Sequence, residues 1–345
     1  LPVTPATLTA VLGKAQAGDV LLLAPGAYGD GRLAKVVAAP GEVRLVSDVT
    51  APAVFNTLRT VGAEGLRFEG VSVELVPTLL TRESQNVLSI EGSKRIAFVG
   101  GRLTSGMAVN GIDENATIGD WSGNVKGRPL GRGAVVSLSK DVEISATEVW
   151  GVQRGLLTYK SENVNFIGNF IHDVRRTFIL GDANNLTIAG NYLYGSRPWR
   201  WGQTPIGDHG DCIAIFPSSL GPMTKVSITN NVCEQRPGGA AILGFTLASI
   251  RQLEVKTNIL RGTDHQGLVT TDVLDGKLTD NVLTGRAGIL LRVGTERVAV
   301  SGNVATYYED RLKGLTGNVL SNPRVLALDT VLPGGVRLMQ TAPKP

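Results

Sequence analysis

The chain has 345 residues, a formal net charge of +4 and 19% charged side chains. The low charged fraction argues against disorder, and the small positive excess is too weak to imply nucleic acid, although it suits an acidic partner. No apolar run is long enough to cross a bilayer, so no membrane span is expected.

Residues 4–17 (TPATLTAVLGKAQA) read as a short amphipathic helix with Thr4 as N-cap and Pro5 at its first position. Such a helix would cover the open end of a strand stack, where bare edges invite aggregation. Val20–Leu23 and Val43–Val46 follow as short strands. From residue 164 one phrase recurs: apolar, any, apolar, any, any, Asn, any, apolar. Its clearest instances are Val164-Phe166-Asn169-Ile171, Leu186-Ile188-Asn191-Leu193, Val226-Ile228-Asn231-Cys233 and Leu253-Val255-Asn258-Leu260. Less complete ones centre on Asn281, Asn303 and Asn318. The Asn-to-Asn steps are 22, 40, 27, 23, 22 and 15 residues.

A period near 22 with alternating apolar residues marks a solenoid of short strands. Asn suits a bend between two strands because it tolerates left-handed backbone angles, and stacked amides can bond one another inside the coil. The expected fold is all-β: one right-handed parallel β-helix of about ten coils, roughly 48 Å tall at ~4.8 Å per strand. Residues 1–17 would be the N-terminal cap, 18–320 the coils and 321–345 a C-terminal wrap. Two earlier coils carry Phe68-Glu69-Gly70 and Phe98-Val99-Gly100-Gly101 in place of the Asn.

A second strand column opens each coil, including Ala134–Leu138, Gly155–Tyr159, Thr177–Leu180 and Cys212–Phe216. Leu156, Phe178, Leu180, Ile213 and Ile215 would face inward, and Tyr159, Ala214, Phe216, Ile242, Val269 and Arg292 outward. By this register Cys233 points inward and Cys212 the other way, so two separate thiols are expected. Long loops at about 104–132 and 195–210 interrupt the coils just before this strand, on the face where solenoids often bind ligands.

The second loop holds Trp199, Arg200 and Trp201, which suit sugar faces and anionic groups, then Asp208, His209 and Asp211. His209 between carboxylates suits proton transfer. Just before the opening strands of successive coils stand Arg132, Arg154, Arg175-Arg176, His209 to Asp211, Arg236 and Asp264-His265. Arg154, Arg176, Asp211 and His265 would therefore form one column about 5 Å apart per step. The bland alternative is a ladder of surface ion pairs. Lys160 is a second candidate base, Asp113, Glu114 and Asp120 offer carboxylates to a Ca²⁺, and His172 reads as a turn residue.

The opening Gly18-Asp-Val-Leu-Leu-Leu-Ala-Pro-Gly-Ala-Tyr28 resembles that of the chondroitinase B and alginate lyase family, as does Thr158-Tyr159-Lys160-Ser161-Glu162-Asn163-Val164 through Asn169. That resemblance implies a polysaccharide-active β-helix and puts Lys160 at the family's catalytic lysine. It also departs from the family: Gln153 and Gly155 stand where calcium-binding acids belong, and Ile179 and Leu180 where a catalytic Arg belongs. Gly210-Asp211-Cys212-Ile213-Ala214-Ile215 is similar to a polygalacturonase strand, but Gly210, Arg175-Arg176 and Pro237-Gly238-Gly239 replace that family's other motif residues.

The expectation is a secreted or periplasmic, monomeric lyase cleaving an acidic polysaccharide by β-elimination. Leu1 in place of Met suggests a removed export signal, with an engineered start as the alternative. His209 would be the base, oriented by Asp208 or Asp211, with Lys160 in reserve. Arg175, Arg176 and Arg154 would bind the uronate. Tyr159, Trp199, Arg200, Trp201, Phe216, Arg236 and His265 would line the substrate site. A glycoside hydrolase using Asp208 and Asp211, a C5 epimerase and a non-catalytic carbohydrate-binding β-helix remain as alternatives.

Overall fold

The computed structural model describes residues 2–38, 41–76, 84–105, 131–196, 210–217, 221–235, 243–263, 266–285, 287–310, 319–321 and 324–325. They form a parallel β-helix with three strands per coil. A leading sheet contains Arg132–Ser137, Arg154–Tyr159, Ile179–Gly181 and Asp211–Ile215. A middle sheet contains Lys140–Ser145, Ser161–Ile167, Ala183–Ala189 and Met223–Thr229. A short sheet contains Glu148–Trp150, Phe170–His172, Tyr192–Tyr194 and Val232–Glu234. Each strand pairs in parallel with its counterpart one coil on. The middle sheet runs through thirteen strands, from Pro2–Val3 to Val319–Ser321.

The apolar pair of each phrase fills the coil interior: Val164, Phe166, Leu186, Ile188, Val226 and Ile228 are all buried. Full burial of such side chains is worth about 1.5–3 kcal/mol each. The Asn ladder is continuous from Asn169 through Asn191, Asn231, Asn258 and Asn281 to Asn303. Each Nδ2 donates to the next Oδ1 at 2.8–2.9 Å. Asn318 lies outside the described residues. The left-handed residue is not the Asn but the one before it: Gly168, Gly190, Asn230, Thr257, Asp280 and Gly302 all have φ between 54° and 66°. That residue makes the bend, which frees the Asn side chain to point inward. A shorter Ser ladder runs along another corner, with Ser93 N–H donating to Ser139 Oγ and Ser139 N–H to Ser161 Oγ.

The N-terminal cap is shorter than expected. Pro2–Val3 adds a strand beside Leu22–Leu23, and the Thr4 carbonyl closes a turn by accepting from Thr7 and Leu8 N–H. The helix therefore spans only Leu8–Leu12, with Thr7 rather than Thr4 at its N-cap, and Leu8 and Leu12 join the core.

Cys212 and Cys233 form a disulfide, against the expectation of two separate thiols. The reason lies at the corner between the short and leading sheets. Here the residue before the first inward strand residue also turns inward, which breaks strict alternation. Gly133, Gly155, Phe178, Cys212, Gly244 and Gly267 share this position. A Cβ on Gly155 would lie 2.9 Å from Ile171 Cγ2, and one on Gly244 2.6 Å from Leu260 Cδ2. Cys212 thus faces the short-sheet residue of its own coil, and that residue is Cys233. The same inversion puts Phe178 and Ile179 both inward and turns Leu180 out.

Candidate functional site

Residues 106–130, 197–209 and 236–242, which connect short-sheet to leading-sheet strands in sequence, lie outside the described residues. Two arginines frame the corner between these sheets. Arg132 and Arg154 are backbone partners on neighbouring coils. Both are half-buried, both have a shielded Nε without a hydrogen-bonding partner, and neither guanidinium is ion-paired among the described residues. Two like charges about 5 Å apart without a counter-charge repel each other. An anion between them would relieve that repulsion.

The column continues from Arg154 to Thr177 and Asp211, not to Arg176, because Leu156 pairs with Ile179 and Ile179 with Ile213. Arg176 stands one residue earlier, half-buried, with its N–H bonded to the Gln153 carbonyl. Arg175 is the largest fully buried side chain, 1% exposed and engaged in interactions, so it is a structural cation rather than a substrate contact. Asp211 is 8% exposed and accepts a 3.0 Å hydrogen bond from Thr246 Oγ1 of the next coil. Thr246 alternates with inward residues, so the Asp211 carboxylate projects toward the outer side of the leading sheet.

That outer side is not an open polar groove. Val135, Leu157, Ala214, Val269 and Leu290 occupy it, and all are buried. Tyr159 and Phe216 stand at the far end of the sheet with Asp182 between them in register. Lys160 follows Tyr159 in the corner leading to the middle sheet. Its φ is 49°, the bend position that Leu138 and Gly92 fill on preceding coils. Its backbone N–H donates to Asp182 Oδ2 at 3.2 Å, and its ammonium has no ion-pair partner among the described residues. Six residues of strand separate it from Arg154, at most about 20 Å. The structure does not bring these two cations to one site. His209, Asp208, Trp199, Arg200, Trp201, Arg236, His265, Ile242, Asp113, Glu114 and Asp120 lie outside the described residues.

His172 is not a turn residue. It ends a short-sheet strand, and its ring is flanked by carboxylates: Nδ1 lies 2.9 Å from Asp173 Oδ2 and Nε2 3.3 Å from Glu148 Oε1. The ring stacks on Phe170 at 4.3 Å and on Trp150 at 6.3 Å between centroids. Burial pulls the imidazole pKa down, but the bonds to Asp173 and then Glu148 outweigh it, and the net shift is upward. Arg102 completes the chain, 3.4 Å from Glu148. The signal for this cluster lies inside the repeat phrase. The positions flanking the inward short-strand residue read Glu148 and Trp150, Phe170 and His172, Tyr192 and Tyr194 on successive coils. These rings form one outer stripe, with Phe170 and Tyr192 stacked at 5.5 Å.

The positions where the lyase resemblance would put calcium ligands do not fit a cation. Gln153 is buried and Gly155 faces the core. Among the described residues no three His, Cys, Asp or Glu side chains are grouped to hold a metal. No described helix is long and apolar enough to cross a membrane.

No family model matches the sequence. No curated protein matches it either. Solved structures do. A GH136 lacto-N-biosidase from Eubacterium ramulus aligns over 90% of this chain and 62% of its own, with TM-score 0.55 and 10% identity. The chain shares its fold. An alginate lyase from Paenibacillus sp. str. FPU-7 aligns over 90% of this chain and 97% of its own, with TM-score 0.48 and 12% identity. A mannuronan C-5 epimerase A-module from Azotobacter vinelandii covers 93% and 90%, with TM-score 0.46 and 12% identity. At these identities the likeness is one of architecture, a right-handed parallel β-helix.

Proposed function

We propose that this protein is an exported enzyme that cleaves an acidic polysaccharide by β-elimination. The observation that carries the reading is the Arg132–Arg154 pair, two guanidinium groups on adjacent coils without a counter-charge among the described residues, at the corner between the short and leading sheets. A uronate carboxylate between them would be neutralised through charge-assisted hydrogen bonds. Neutralisation acidifies the C5 hydrogen and stabilises the enolate-like intermediate formed when that proton is removed. The C4–O4 bond then breaks, a C4–C5 double bond forms, and the leaving oxygen takes up a proton. His209 is the proposed base, with Asp208 or Asp211 as its orienting acid, and Trp199, Arg200 and Trp201 grip neighbouring sugars. Arg176 is a further carboxylate contact at the same corner. The disulfide supports an oxidising destination outside the cytosol.

Incubation with a panel of uronic-acid polymers, followed by ultraviolet absorbance of the new double bond, tests the proposal. Arg154→Ala and Arg132→Ala should each lower kcat/KM about 100-fold or more, as for loss of a transition-state charge contact. Release of saturated oligomers, or full elimination activity in Arg154→Ala, would refute it.

A further inference from the structure

The middle sheet carries a second feature, on a different side of the coil from the arginine corner. One residue in each of nine successive strands lies in the left-handed region, in register: Gly65, Arg95, Asp141, Asn163, Asn185, Lys225, Gln252, Asp275 and Arg297. For residues other than Gly, Asn and Asp this backbone costs about 1 kcal/mol or more. The bend it makes leaves the outer face concave. From Asn163 to Glu254 the concavity is a groove of about 480 Å³.

Two columns of side chains line the groove. The bend column contributes Asn163, Asn185, Lys225 and Gln252, and the adjacent outward column Asn165, Thr187, Ser227 and Glu254. Four coils span about 14 Å along the axis. On either side of the groove the same face is laced with ion pairs. Arg44 and Arg67 bind Glu69, and Arg95 binds Glu64, before it; Arg297 binds Asp275 after it. Within the groove the pairing stops. The Asn165, Thr187, Lys225 and Gln252 side chains make no hydrogen bond or ion pair among the described residues. One cation and one anion among amides and hydroxyls leave little net charge. The lining side chains, Val226 apart, are polar, and they form no basic run for a nucleic acid.

We infer that this groove is a second, non-catalytic binding site for a polysaccharide strand lying along the coil axis and held through its hydroxyls. Planar amides donate and accept side by side, which matches vicinal hydroxyl pairs. The inference takes its ligand class from the proposed function but uses none of that function's residues.

Binding to alginate and to hydroxyethyl cellulose by affinity electrophoresis separates the two. The background is Arg132→Ala/Arg154→Ala, which lacks the ionic corner. In that background at least one polymer should still retard the protein, with little dependence on salt, because the contacts are neutral. Adding Asn165→Ala and Gln252→Gly, the latter chosen to suit the left-handed backbone, should weaken retention about tenfold, as for two lost hydrogen bonds. A circular dichroism melt confirms that both variants are folded. Absence of retention in the arginine-less background, or retention unchanged by the groove substitutions, overturns the inference. Failure of the elimination assay with groove binding intact would instead sink only the proposed reaction.

Discussion

Asn231 tests the ladder most directly, because it is fully buried in mid-stack. Its Oδ1 accepts from Asn191 N–H at 3.0 Å and from Asn191 Nδ2 at 2.9 Å. Its Nδ2 donates to Asn258 Oδ1 and to the Ile188 carbonyl, each at 2.9 Å. Asn231→Ala orphans two donors on Asn191 and the Ile188 carbonyl. Asn258 Oδ1 keeps the Asn231 backbone N–H. A buried polar group without a partner costs about 1–3 kcal/mol, so three predict a loss of about 3–9 kcal/mol. Urea unfolding followed by far-ultraviolet circular dichroism reads this as a midpoint lower by about 1–3 M at m of ~3 kcal/mol/M. Solenoids can unfold piecemeal, so amide exchange should accompany it: the Asn191 amide should lose protection before those of distant coils. Asn165→Ala, which removes an outward amide of the same middle sheet at a position without left-handed backbone, is the control and should cost under about 1 kcal/mol. If Asn231→Ala costs no more than Asn165→Ala, the inner ladder does not stabilise the coil as argued.

Reduction of the Cys212–Cys233 bridge, which spans 21 residues, should cost about 3 kcal/mol in urea unfolding. Cys212→Gly/Cys233→Leu, which copies the pairing of Gly244 with Leu260, should recover more stability than Cys212→Ser/Cys233→Ser. Equal midpoints for the two double variants would contradict the inward-facing corner. For His172, a raised pKa means that its stabilisation is complete below the ordinary imidazole value and is lost as pH rises through the folded-state value. The wild-type urea midpoint relative to His172→Gln should therefore fall across that window; a difference that grows with pH would contradict the pairing with Asp173 and Glu148. Lys160→Ala should leave turnover of any cleaved polymer within about twofold, as for an exposed residue remote from the reaction. A large loss would move the reacting carbon to the other end of the leading sheet.

The Asn phrase was legible because its chemistry repeats with its geometry: a buried amide must be satisfied, and the next coil's amide is the nearest partner. The disulfide was not legible, because strict alternation assigns Cys212 outward and only the corner turns it in. The same corner moved Ile179 to the place expected for Leu180. It also put Thr177 where Arg176 was expected between Arg154 and Asp211. A one-residue shift is enough to exchange faces along a strand. The bend column of the middle sheet was hidden for a different reason. Its geometry is constant over nine coils, while its residues run from Gly65 and Arg95 to Gln252 and Arg297. Composition carries no trace of a position fixed only by backbone shape. His172 sits on a flank that the repeat phrase leaves unspecified, although across three coils those flanks hold four aromatic rings and an imidazole.

The leading sheet separates two chemistries that the sequence placed side by side. At its start stand Arg132, Arg154 and Asp211, next to the stretches inserted between coils. At its end stands Lys160, with Asp182 and Tyr159. The outward residues between them, Val135, Leu157 and Ala214, are apolar and buried. A single sugar ring cannot bridge the ~20 Å from one end of a six-residue strand to the other. Proton abstraction and carboxylate neutralisation act on adjacent carbons of one residue, so base and guanidinium must share an end. A lysine-based mechanism would then have to do without the unpaired arginines, and an arginine-assisted one must draw its base from the corner residues. Because Arg132 and Arg154 have no counter-charge among the described residues, the second arrangement gives those cations a role that the first leaves unfilled.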